Sequence, residues 1–162
     1  MKTLKESLKR ELFRSNAKRI NENIKPADEK LFWRWIDAMG GTDIFGIRKV
    51  DDALMKAADL GTTAEQMDMF QNIFFSYAVD IQEVYSDEDM DMDFSDDTLE
   101  YESWGAVWHG EAAVKQFLKK HDNPAQIFDA DWGDAEESGY ILSSDDYRDF
   151  LDEEGLTPKG FK

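Results

Sequence analysis

The sequence predicts a mainly α, single-domain helical bundle of about six to seven helices, and three observations predict it. Apolar residues recur at spacings of three and four over most of the chain, helix start and stop signals bracket those stretches, and an aromatic fraction of 13% supplies material for a core. At 162 residues the chain suits one domain, which buries roughly two-thirds of its unfolded surface. High net charge alone would suggest disorder, but disordered chains are poor in aromatics, and this one holds 5 Trp, 11 Phe and 5 Tyr.

The elements follow in order. Leu4, Leu8 and Leu12 recur every fourth residue among Lys2, Lys5, Lys9, Arg10, Arg14, Lys18 and Arg19, so residues 1–24 read as a basic amphipathic helix with a narrow apolar stripe. Pro26 with Asp28 and Glu29 signals a helix start, and Phe32, Trp35, Ile36 and Met39 form one face before Gly40-Gly41 stops it. A short helix runs from about Asp51 to Leu60 and ends at Gly61. Thr63 with Gln66 makes a capping box for the longest helix, where Met67, Phe70, Phe74, Tyr77, Ile81 and Val84 form a continuous seam marking the centre of the core. After Ser86 comes an acidic loop. Ser95 with Asp96 and Asp97 then opens a helix bearing Leu99, Trp104, Val107 and Trp108, which Gly110 breaks. Val114, Phe117 and Leu118 continue a helical period up to the Asn123-Pro124 turn. The pattern weakens from Ala125 to Leu142, where Tyr140-Ile141-Leu142 is the one strand-like run and a minor strand pair is the alternative to helix. Ser144 caps a last helix with Tyr147, Phe150 and Leu151 inward, closed by Gly155. The expected organisation is a basic helix at 1–24, an acidic helical domain at 25–155 and a C-terminal tail at 156–162.

Charge is divided along the chain. Residues 1–50 carry 12 Lys and Arg against 7 Asp and Glu, a balance of +5, so the formal net charge of −17 leaves −22 on residues 51–162. Such a surface repels nucleic acid and acidic lipid and attracts a basic protein surface, cations or the chain's own N-terminus. No Cys is present, which excludes disulfides, thiolate metal sites and cysteine nucleophiles. No apolar run approaches the ~20 residues of a membrane span, so the expectation is a soluble, cytoplasmic protein without membrane contact.

The densest candidate site is the acidic segment Asp87, Asp89, Asp91, Asp93, Asp96, Asp97 and Glu100. It can be laid on the calcium-loop template with Asp89, Asp91, Asp93, Ser95, Asp97 and Glu100 at the ligand positions. The carboxylate spacing suits that template, whereas Phe94 stands where the loop needs Gly and Asp96 where it needs an apolar residue. His109 and His121 stand apart from any metal or nucleophile motif, and His109 near a helix end reads as structural. Trp33, Trp104, Trp108 and Trp132 have faces that stack on bases, but the last three lack basic neighbours, so direct nucleic-acid binding is not expected. No catalytic motif is present, and a hydrolase built on paired carboxylates has no particular pair to recommend it.

Phe32-Trp33-x-x-Ile36-Asp37, then Glu65 with Phe70 and Phe74, then Ser95-Asp96-Asp97 followed by Tyr101, Trp104 and Gly110, resemble a bacterial family known as domain of unknown function forty-two forty. The Asn123-Pro124 turn and the acidic, Tyr-containing stretch from Glu137 to Tyr147 extend the resemblance over roughly residues 31–151. Within it the central Trp sits one position early, and Glu102-Ser103 replace a common Phe-Arg. The resemblance implies a small helical domain and no established activity. The opening Met1-Lys2-Thr3-Leu4-Lys5-Glu6-Ser7-Leu8 also resembles leaders on small proteins of gut bacteria and their phages.

The sequence thus points first to a non-enzymatic acidic interaction domain without a cofactor. Its sharper form is an inhibitor or DNA mimic whose carboxylates, in 87–100 and 129–137, stand in for phosphates before a basic partner. The alternative is a calcium-binding regulatory protein using residues 89–100. Self-association through the N-terminal helix is a further expectation.

Overall fold

A computed structural model describes residues 24–47, 49–87, 103–120 and 142–162. Within them the protein is all-helical: α1 (Pro26–Ala38), a 3-10 helix (Gly41–Gly46), α2 (Val50–Asp59), α3 (Ala64–Asp87), α4 (Glu111–Lys120) and α5 (Ser144–Glu154). Residues 103–108 add a short helical segment before α4. The N-terminal residues 1–23 and most of the 125–142 stretch, with its alternative strand pair, lie outside the described residues; among those described there is no strand.

Local chemistry sets the boundaries. Pro26 occupies the first turn of α1, where its missing N–H costs nothing, and Asp28 and Glu29 face the positive end of the helix dipole. The capping box forms as read: Gln66 N donates to Thr63 Oγ1 at 3.0 Å and Thr63 N to Gln66 Oε1 at 3.1 Å. At the other end of the chain the cap moves by one residue. Ser143, not Ser144, holds the extended backbone of an N-cap and accepts from Asp146 N at 3.4 Å, so Ser144 is the first helical residue of α5. There its N–H donates to Gln71 Oε1 of α3 at 3.3 Å, a long-range tie unseen in the local spacing.

α3 is the central element and packs against α1, α4 and α5, while α2 packs against α5. Its predicted seam is buried at Met67, Phe70, Phe74 and Ile81, with Tyr77 half-buried, and Ile73, Ala78 and Val79 bury a second face. The helix is apolar around more than one stripe because it has neighbours on several sides. The other helices bury one face each: Phe32, Trp35 and Ile36 from α1 with Met39 at its C-cap, Ala53, Leu54 and Ala57 from α2, and Tyr147, Phe150 and Leu151 from α5. Trp35 stacks on Phe70 with centroids 4.8 Å apart, and Phe74 meets Trp108 at 5.6 Å. Aromatic contacts of this kind add about 0.5–1.5 kcal/mol each beyond burial.

Thr62, fully buried, joins three elements. Its N–H donates to Ala57 O at 3.1 Å as part of the closing turn of α2. Its hydroxyl accepts from Trp35 Nε1 of α1 at 2.9 Å, and its carbonyl accepts from Tyr147 Oη of α5 at 2.6 Å. Gly61 makes this turn, since its φ of +87° suits glycine and lets the chain reverse directly after α2.

Candidate functional site

The acidic positions singled out in the sequence fall largely outside the described residues. Asp89, Asp91, Asp93, Ser95, Asp96, Asp97 and Glu100 belong to the 88–102 gap, and Asp87 is the last residue of α3, its side chain not described. The 129–137 carboxylates and Trp132 lie in the second gap.

Within the described residues the acidic character is carried most densely by α5. Asp145, Asp146, Asp149, Asp152, Glu153 and Glu154 are all exposed on eleven residues of helix. This is the solvent side of the helix whose inner side is Tyr147, Phe150 and Leu151, and Asp145, Asp149 and Asp152 follow one another at i, i+4 and i+7. The one cation of the helix, Arg148, is already engaged, with Nη2 2.5 Å from Asp68 Oδ2 and Nη1 3.9 Å from Asp145 Oδ1. Burial raises the Asp68 pKa, but the Ser144 hydrogen bond and the Arg148 guanidinium outweigh it and hold the carboxyl below its usual range. Asp145 and Asp146 lie in the first turn, where the dipole favours them. Asp152, Glu153 and Glu154 lie at the opposite end, which has no basic residue, and there the dipole opposes them. Spacing was the available signal for this face: every residue of α5 not needed for packing is acidic, Arg148 and the first helical residue, Ser144, excepted.

A second feature is a cleft of about 550 Å³ between α1 and the start of α4, lined by Lys30, Arg34 and Asp37 on one side and His109, Gly110 and Glu111 on the other. Lys30 and Arg34 are balanced in number by Asp37 and Glu111, so the lining carries no net formal charge with His109 neutral. Burial lowers the His109 pKa, so the ring is held toward the neutral form. Elsewhere on α1, Glu29 Oε1 accepts from Tyr77 Oη of α3, and burial followed by that carboxylate raises the Tyr77 pKa. Lys115 Nζ closes a surface pair with Glu111 at 2.6 Å.

Trp33, Trp104 and Trp108 pack into or against the core. Trp33 and Trp108 are 8% and 1% exposed, so neither offers a face to a base, and half-buried Trp104 meets Phe75 edge-on at 5.9 Å. The buried indole N–H of Trp108 finds no acceptor among the described residues. That of Trp33 lies near the Tyr77 oxygen, where it favours the phenolate, without completing a hydrogen bond. Among the described residues no group of three or more His, Cys, Asp or Glu could hold a metal ion, and no helix is long and apolar enough to cross a membrane.

Fold and surface together define a small, mainly helical domain with carboxylates along the exposed side of α5. Compared with known proteins, the chain matches no family model, and no curated protein or solved structure matches it significantly. The resemblance to the forty-two forty family therefore stands on the residues named for it above.

Proposed function

We propose that this protein is a non-enzymatic interaction domain that presents carboxylates to a basic protein surface. The observation that carries the reading is the outer side of α5, where six exposed carboxylates surround a single cation that Asp68 has already taken. Charge kept only for solubility can sit anywhere on a surface. Here three acids occupy the last turn of a helix, where each opposes the dipole at about 0.3–1 kcal/mol. An electrostatic partner compensates that disadvantage by association and steers encounter over longer distances.

The test is capture from lysate at low and high salt, with the full chain and two variants: Asp145, Asp146, Asp149 and Asp152 changed to Asn, and Asp89, Asp91, Asp93, Asp96 and Asp97 changed to Asn. A basic partner retained at low salt and lost with salt and in either variant supports the reading and assigns the segment responsible. Binding unaffected by both variants, or no salt-sensitive partner, rejects it. Release of the captured partner by duplex DNA would specify the inhibitor or DNA-mimic form.

The calcium reading of residues 89–100 rests on carboxylate spacing. It requires a calcium-induced rise in melting temperature that Asp93→Asn or Glu100→Gln removes, and it fails if the parent protein shows no rise.

A further inference from the structure

Residues 156–162 lie along the body of the domain as an extended strap. After the left-handed Gly155 closes α5, Leu156 N returns to Leu151 O at 2.9 Å and the chain leaves the helix. Exposure then alternates over 156–160, with Leu156, Pro158 and Gly160 half-buried and Thr157 and Lys159 exposed, as in a peptide lying on a surface; at Gly160 the chain turns, with φ +126°, and brings the half-buried Phe161 onto the body.

The end of the strap is held by contacts that read a peptide. Gly160 N donates to Gly61 O at 2.8 Å. The Gln66 side-chain amide pairs with both backbone groups of Phe161, Oε1 accepting from Phe161 N at 2.7 Å and Nε2 donating to Phe161 O at 2.9 Å. The Phe161 ring meets Phe70 edge-on with centroids 6.4 Å apart. Glycine is required on both sides, because a Cβ on Gly61 would stand 2.9 Å from Gly160 O, and Gly160 itself has φ +126°. Backbone hydrogen bonds from a fixed amide, a glycine-sized gap and an apolar patch for one aromatic side chain are the parts of a peptide-recognition site.

We propose that the notch formed by Gly61, Gln66 and Phe70 is a binding site for an extended peptide containing a Gly-Phe pair, filled in cis by the chain's own residues 156–161. The strap is a tethered ligand, joined to α5 through the Gly155 cap, and an equivalent segment supplied in trans competes for the same contacts. Its effective concentration in cis is on the order of millimolar, so a free peptide binds well only where the cis strap is weakened.

The experiment uses a fluorescent peptide of sequence Leu-Thr-Pro-Lys-Gly-Phe-Lys with three full-length proteins: the parent, Phe161→Ala, and Phe161→Ala with Gln66→Ala, each checked for native helicity by circular dichroism. Saturable binding to Phe161→Ala at least about tenfold tighter than to the parent, lost in the double variant, is the expected result. A folded Phe161→Ala protein that does not bind the peptide overturns the proposal, as does equal binding to the double variant. A second measurement keeps the parent chain intact. Excess unlabelled peptide should speed hydrogen exchange at the Gly160 and Phe161 amides while leaving Tyr147 and Phe74 unchanged. Unaltered exchange at millimolar peptide also overturns it.

Discussion

Replacing Thr62 by Val should show that a hydrogen bond, and not side-chain volume alone, joins α1 to the α2–α3 turn. Valine keeps the β-branched shape and nearly the same volume, so the change isolates the hydroxyl. That oxygen accepts from Trp35 Nε1 at 2.9 Å, and Thr62 has no exposed surface, so no solvent replaces the lost acceptor. An orphaned buried donor costs about 2 kcal/mol at the middle of its usual range, and the added methyl recovers up to about 0.8 kcal/mol by burial, leaving a net loss of about 1–2 kcal/mol. For a chain of this length the melting temperature should fall by about 2–8 °C. The assay is urea unfolding followed by far-ultraviolet circular dichroism, read as a lower midpoint at constant m value. The decisive comparison repeats the change in a Trp35→Phe background. With no indole N–H left to satisfy, Thr62→Val should cost less than about 0.5 kcal/mol, giving a coupling energy of about 1 kcal/mol or more. An equal cost in both backgrounds would refute the hydrogen-bond argument and leave packing as the explanation.

Three further outcomes are expected. Burial pushes the Tyr147 hydroxyl up to about 12 from an ordinary 10; an unfolded tyrosine gives up its proton first, so the stability this group contributes is complete below pH 10 and lost between about pH 10 and 12. Tyr147→Phe should flatten part of that alkaline decline while lowering stability near neutrality by about 1–2 kcal/mol, through loss of the bond to Thr62 O; pH-dependent thermal melts check both. Changing Glu153 and Glu154 to Lys removes two charges that oppose the α5 dipole and should raise the melting temperature by about 1–4 °C. The same variant should lose affinity for a basic partner, and unchanged binding would count against the α5 surface. Gly61→Ala forces a side chain into a left-handed turn and against Gly160 O, so limited proteolysis should cut the strap faster than in the parent, with a stability loss of at least about 1 kcal/mol by urea titration.

Much of the helical framework was legible because its signals act over a few residues. Pro26 with its acidic neighbours, the Thr63–Gln66 capping box and Gly155 each act on backbone groups within one turn, so their chemistry is complete in the local sequence. The buried seam of α3 was legible for the same reason, since spacing alone puts Met67, Phe70, Phe74 and Ile81 on one side. Spacing did not show the second buried face at Ile73, Ala78 and Val79, which exists only because other helices cover it. The cap of α5 was placed one residue late: Ser143 and Ser144 are chemically equal in the sequence, and Gln71 of α3 occupies the N–H of the second.

The candidate surfaces divide the same way. Composition determined that the chain is strongly acidic beyond residue 50, and a helical period determined that α5 keeps its carboxylates away from Tyr147, Phe150 and Leu151. Only the tertiary structure decided that Asp68 takes Arg148 and leaves those carboxylates without a free cation on their helix, because the two residues stand 80 positions apart. It likewise decided that Thr62 joins α1 to α5 and that the 156–162 segment is a docked strap. Gln66 shows the division within one side chain: its bond to Thr63 spans three residues and follows from the sequence, while its bonds to Phe161 span 95 and exist only after α3 and α5 have packed.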